Sequence, residues 1–300
     1  MRQRTLVRPV SCTGIGFHSA APVRLSLEPA EAGTGVVFVR SDLPIPFEIP
    51  AGPGAVRVDR YVSLLGAGRA LVAETEPLLA ALYGLGVDNV RVEVNGPELP
   101  AMDGSAAPFV YLIRSAGLQR LEAPRPVLRL ARPVEVREVE RRARVKPAPD
   151  LGIDYRVAFE HPAIGKQALS LDTFDVRAFG REIAPARRFA FARDVRIQRR
   201  AGAARGASAE NCVLLEEGAL GELGALRWRD EFVRRRVLEL CAALALLGAD
   251  IRGTFRVEGG GRTLHSKLVA ALLAARVPAA RGVTRSVRAR WRGVGQPPGR

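Results

Sequence analysis

Glu76–Gly96, EPLLAALYGLGVDNVRVEVNG, and Glu239–Gly260, ELCAALALLGADIRGTFRVEGG, spell the same succession of elements. Each is an Ala/Leu-rich run, a glycine stop, a short turn containing aspartate, and a strand that ends in glycine. Ala and straight-chain Leu favour helix, and a glycine just past the run supplies a left-handed C-cap. Asp88–Gly96 alternates apolar and polar residues, the period of a half-buried strand. A single helix–strand unit cannot bury its apolar face alone. Two copies therefore predict two similarly built α+β domains packed together, each a sheet covered by helices on one face.

The flanking sequence fits that plan. Val23–Pro29 and Gly35–Arg40 have strand composition, and Pro100–Gly117 reads as a turn followed by a second helix. Pro77 is tolerated in the first turn of the helix over Ala73–Gly86, which Gly84 or Gly86 ends. Glu122–Val127, with two prolines and no periodicity, is the linker candidate. Val127–Glu138 and Asp154–Glu160 read as strands of the second half. The expected division is residues 1–123 and 124–275, with a basic, disordered tail over 276–300.

One helix poses a problem. In EFVRRRVLEL, Glu231–Leu240, the apolar residues recur at helical spacing, yet Arg234, Arg235 and Arg236 are adjacent. Successive helical residues lie about 100° apart, so three neighbours cannot all face water. At least one arginine must sit near the buried side.

Composition bounds the rest. The chain has 300 residues and is 47% hydrophobic, enough to build a large core. Net charge is +15, and only Lys146, Lys166 and Lys267 are lysines. That skew fits either a GC-rich coding bias or a surface for a polyanion or anionic lipid. The tail carries seven arginines, no acid and Trp291; it is either solvated or in contact with an anionic membrane or nucleic acid. Cys12, Cys212 and Cys241 lack CxxC spacing, and an odd count argues against a disulfide framework. Cys241 reads as a small core residue. No run of 18 apolar residues and no secretory h-region occur, so the expected location is the cytoplasm.

Several stretches together resemble one family: RTLVRPVSCTGIGFHSA, LGVDNVRVEVNGPELPAMDGSAAPFVYLI, FEHPAIGKQ, ARRFAFARDV and RDEFVRRRVLEL. In this order, from about Arg4 to Val269, they are similar to the UDP-3-O-acyl-N-acetylglucosamine deacetylases, zinc amidases of lipid A synthesis. The resemblance implies two α+β domains whose helices face each other, a zinc site between them, and an insert around Arg188–Val213 forming a passage for an acyl chain. It also implies one zinc held by two His and one Asp, with a Glu as general base and a further His near the end.

The sequence departs from that pattern at nearly every such position. The family's EH is Glu76-Pro77 here, keeping the base and replacing a ligand by proline. HKxxD is RRVLE: Arg235 stands for the ligand His, Arg236 for the Lys, and Glu239 for the Asp. The late GH is Gly261-Arg262, and Arg188 takes the place of a threonine. Of the three histidines, His18 and His161 match family positions that are not ligands. His265 lies three residues past the lost catalytic position and is expected to point elsewhere. No metal site is therefore expected. Zinc lowers the pKa of bound water from about 15.7 to about 7; at about 1.36 kcal/mol per unit this is roughly 12 kcal/mol, which Glu76 alone cannot supply for an amide.

The resemblance also assigns substrate-binding positions. Lys146 matches a lysine near the nucleotide phosphates. Phe189 and Phe191 match aromatics of the acyl passage or are core residues, and Asp194 matches an acid able to pair with Arg236. Arg235 is expected to neutralise Glu239 in a buried pair, or else to pair with Glu231 on a solvated face, and Arg262 to serve Glu76. Three functions follow. The chain is a family member that has lost zinc-dependent deacetylation and binds or senses a UDP-sugar or acylated anionic molecule. Alternatively it is an active deacetylase with a rearranged site, or a basic nucleic-acid-binding protein.

Overall fold

The computed structural model describes residues 1–58, 63–68, 70–217, 219–220 and 226–276. Two five-stranded sheets dominate it. The first is built from β1 (Val10–Ile15), β2 (Pro22–Pro29), β3 (Val36–Arg40), β4 (Phe47–Pro50) and β5 (Val90–Val94), in the order β1-β2-β5-β3-β4. The second comprises β6 (Val134–Glu138), β7 (Arg141–Lys146), β8 (Leu151–Ala158), β9 (Lys166–Leu171) and β12 (Gly253–Glu258), in the order β6-β7-β12-β8-β9.

The two sheets share one topology. In each, the last strand enters between the second and third, antiparallel to the former and parallel to the latter. In each, that strand follows a long helix, α1 (Glu76–Leu85) in the first and α4 (Glu231–Ala245) in the second. The repeated helix–strand unit is thus the inserted central strand of each sheet with its preceding helix. The mixed α+β architecture expected from the repeat is the one observed.

Packing explains the sequence of both helices. Nine of the ten residues of α1 are buried, because α1 lies between the first sheet and α4, and the α1–α4 contact is the most extensive between any two elements. A helix apolar on all sides is a buried one. Gly86 ends α1 in the left-handed region, φ 68°, and its N–H returns to the carbonyls of Leu82 and Tyr83. Two further helices follow their sheets, α2 (Ala107–Ala116) and α5 (Arg262–Ala274).

The expected linker is corrected in part. Glu122–Pro124 closes a strand, Leu118–Pro124, that pairs antiparallel with Arg2–Leu6. Paired backbone overrides the turn signal of the prolines, since Pro124 falls at the strand end, where no ladder donor is required. The stretch of the expected insert holds a β–α–β unit: β10 (Phe189–Phe191), α3 (Ala192–Arg200) and β11 (Val213–Glu216), with β10 and β11 parallel. All three cysteines are free, and Cys241 is fully buried in α4. No helix among the described residues is long and apolar enough to cross a membrane. Residues 277–300, most of the expected tail, lie outside the described residues.

Candidate functional site

The facing surfaces of α1 and α4 meet the first turn of α5 in a cluster of ion pairs. Glu76 and Pro77 open α1, where proline needs no helical donor. Arg262 opens α5, and its Nε donates to Glu76 Oε1 at 3.1 Å. On α4, Glu239 receives two arginines of its own helix. Arg235 Nε lies 3.5 Å from Oε1, and Arg236 Nη1 donates to Oε2 at 2.6 Å. Burial would raise the Glu239 carboxyl, but Arg236, Arg262 and Arg235 outweigh it and hold the group well below the usual carboxylate range.

The three adjacent arginines therefore have three destinations. Arg234 reaches Glu182 and Asp230, at 2.6 and 2.8 Å, and its guanidinium lies over the Trp228 ring. Arg235 is 1% exposed, the largest fully buried side chain of the described residues. Besides Glu239, it donates to the Gly104 carbonyl at 3.1 Å, reaching from one half of the chain into the other. Arg236 sits over Phe189 and Phe159 at 5.1 and 5.7 Å from their centroids. The solvated pairing of Arg235 with Glu231 does not occur; Glu231 is buried against Arg187 and the Arg227 backbone.

A second set of charges extends the cluster. Glu74 adopts φ 62°, unusual for a residue with a Cβ. Its carboxylate is shared between His18 Nε2, at 3.1 Å, and the Arg188 guanidinium. Burial and the neighbouring Arg235 and Arg262 push the Arg188 guanidinium down to about 9, and Glu74 is its ion-pair partner. Glu98 accepts the backbone N–H groups of His18 and Ser19. Glu74, Glu76 and Glu239 thus pair with Arg188, Arg262, Arg235 and Arg236, so each of these carboxylates has a guanidinium partner from the chain itself.

This donor set does not fit zinc. Proline offers no ligand atom at position 77, an arginine does not coordinate a cation, and both Glu239 oxygens are engaged by guanidinium groups. Among the described residues no group of three His, Cys, Asp or Glu is placed to hold a metal.

The other sequence candidates divide. Phe189 packs edge-on against Phe159 and Phe232, beside the cluster. Phe191 stacks edge-on with His161, whose Nε2 meets the Glu216 carbonyl. Asp194 lies in the first turn of α3 and does not pair with Arg236, which Glu239 has already taken. Lys146 is exposed at the end of β7 that pairs with Thr254, and it is not among the residues lining the cleft.

The other end of β7 supplies what the sequence did not single out. Arg141 reaches a cleft of about 1240 Å³, together with Arg156, Lys166, Arg236, Arg262 and Phe159. Glu138, Glu140 and Glu258 are the acids on its wall. The Gly259–Gly261 run forms its floor, and a Cβ on Gly260 would overlap the Tyr155 hydroxyl. His265 is corrected as well. It lies three residues after Arg262 on the same helix, hence on the same face, and lines a second cavity shared with Glu76, Glu239 and Arg262. That i, i+3 relationship was the signal in the sequence.

Comparison with known proteins agrees with this architecture. The family model described as LpxC: UDP-3-O-acyl N-acetylglycosamine deacetylase matches residues 3–274. A UDP-3-O-acyl-N-acetylglucosamine deacetylase of Anaeromyxobacter sp. (strain Fw109-5) is 43% identical over 273 residues, 91% of this chain and 88% of its own. That of Myxococcus xanthus (strain DK1622) is 43% identical over 267 residues, 89% and 85% of the two chains. With two sheets of one topology, facing helices and a match over nearly all the described chain, the protein belongs to the UDP-3-O-acyl-N-acetylglucosamine deacetylase family.

Proposed function

We propose that this family member binds an anionic UDP-sugar or acylated ligand of lipid A biosynthesis in the cytoplasm, and that it does not perform zinc-dependent deacetylation. One observation carries the proposal: the carboxylates at 76 and 239 are neutralised by Arg262, Arg235 and Arg236. A dication placed there would meet fixed guanidinium charges rather than open ligands. Glu76 keeps the position of the family's base, with Arg236 and Arg262 beside it. The five basic side chains of the large cleft suit a diphosphate, and Phe189 and Phe191 suit an acyl passage in the insert over 188–213. In this reading residues 1–123 and 124–275 are the two domains, and Arg276–Arg300 is the segment that contacts anionic surfaces, lipid or polynucleotide.

A second reading has its own support. The curated relatives at 43% identity carry the name of the deacetylase, which favours an active enzyme with a rearranged site. The two readings part in one experiment: metal content, UDP-sugar binding and deacetylation of UDP-3-O-acyl-N-acetylglucosamine, all on one purified sample. Binding without stoichiometric zinc and without turnover is expected. Turnover that is lost on Glu76→Gln would establish the second reading.

A further inference from the structure

A cavity of about 100 Å³ lies between α1, α4 and α5 and the strand Val56–Val58. Val56, Leu79, Ala242, Leu246 and Val269 give it apolar walls. Glu76 and His265 also line it, 7% and 2% exposed. Each has a buried polar atom without a hydrogen-bond partner among the described residues, Glu76 Oε2 and His265 Nδ1. Such atoms are costly to leave unpaired, and here the two side chains that carry them line one cavity.

The hydrogen-bonding role of each orphan follows from its other contacts. Tyr155 is fully buried, and its hydroxyl has His265 Nε2 as partner at 2.8 Å. The tautomer that leaves no hydroxyl proton stranded has Tyr155 donating to Nε2, which puts the imidazole proton on Nδ1. Of the two orphans, Nδ1–H is then an unused donor and Glu76 Oε2 an unused acceptor. A single hydroxyl group satisfies both. An anion satisfies only the first and leaves Glu76 Oε2 unpaired.

We propose that this cavity binds a short aliphatic molecule bearing one hydroxyl, whose oxygen accepts from His265 Nδ1–H and whose proton is donated to Glu76 Oε2. An engineered cavity of about 150 Å³ holds benzene, so this one admits roughly four or five heavy atoms. The inference rests on the metal-free reading of the cluster, because a metal bound at Glu76 would occupy Oε2.

The test uses the full chain labelled with ¹⁵N-histidine, whose three imidazoles are few enough to resolve. The probes are 1-butanol and its isomer methyl propyl ether, which has no hydroxyl. Titration with 1-butanol is expected to shift the His265 ring nitrogens saturably and leave His161 unmoved. The ether should bind at least tenfold more weakly. Ala243→Leu and, independently, Ala270→Leu narrow the cavity without touching a polar group; either should weaken 1-butanol binding tenfold or more. A linear, unsaturable shift means that the orphans are met by solvent water only, and overturns the proposal. So does equal affinity for the ether, or undiminished binding in both folded variants. Zinc content of the same sample separates the two failures: zinc-free protein that ignores 1-butanol loses this inference alone, whereas zinc-loaded protein loses the metal-free reading too.

Discussion

Arg235 and Glu239 form a buried pair one turn apart on α4, with Nε and Oε1 3.5 Å apart and both side chains almost wholly inaccessible. Isolated burial of either charge would be prohibitive. The pair persists because Arg236 supplies a second guanidinium to Glu239 and the Gly104 carbonyl accepts a hydrogen bond from Arg235. Helix α4 thus carries its own cation at the position where the resemblance implies a metal ligand. The same side chain bridges the two halves of the molecule through the Gly104 carbonyl.

Removing that cation should be costly. Arg235→Ala leaves Glu239 with Arg236 as its one contacting guanidinium among the described residues and opens a large void in the interior. The expected loss is about 3–5 kcal/mol, the range for breaking a buried pair, against about 0–1 kcal/mol for an exposed one. The double change Arg235→Leu with Glu239→Leu should recover much of it. Urea unfolding of the three proteins measures both values, and an unaltered Arg235→Ala midpoint would refute the buried-pair account.

Restoring the family's residues tests whether the backbone still presents a metal site. Pro77→His, Arg235→His, Glu239→Asp and Arg262→His together remove two guanidinium groups and add three imidazoles. The quadruple variant should bind about one zinc per chain by elemental analysis, and the parent none. Zinc in the parent that survives dialysis against a chelator and disappears in Glu239→Ala would contradict the prediction.

Much of this was legible in the sequence, for physical reasons. The repeat works because a buried helix and the central strand it feeds must both be apolar, and both copies obey that rule. That one of the three arginines lies inside follows from the solvent-facing arc of a helix; that it is Arg235 comes only from the family resemblance. The partner of Arg236 could not be placed, since Asp194 and Glu239 compete for it and only helix geometry decides; Glu239 is three residues on. Lys146 and Arg141 occupy opposite ends of one strand, and which end meets the glycine loop depends on the register against β12. His265 was misjudged by counting three residues as a displacement when on a helix it is a return to the same face.

The segment after Ala275 makes a separate prediction. Seven arginines without an acid should bind anionic surfaces mainly by counterion release, with steep salt dependence. Co-sedimentation with phosphatidylserine vesicles at low salt should be lost on deleting Arg276–Arg300 and should fall sharply in the full chain at moderate salt. Unchanged sedimentation of the truncated protein would assign the effect to the folded body instead.

Acid should unfold this protein through the groups the cluster buries. Burial holds His265 down to about 4, below the roughly 6.5 of an unfolded histidine. The folded state therefore binds its proton less well than the unfolded one. The stability this contributes is complete above about pH 6.5 and is lost as pH falls toward 4, a span of roughly 3 kcal/mol. His18 is shifted in the same direction, first by burial and then by Arg188. Glu239, held below its ordinary value, adds a loss of the same sign beneath about pH 4.3, where an unfolded glutamate protonates. Unfolding free energy should thus decline from pH 7 to pH 4.5, and His265→Gln, which has no proton to gain, should flatten that decline. A variant that loses stability as steeply as the parent would show that His265 is not the buried neutral group that Tyr155 holds.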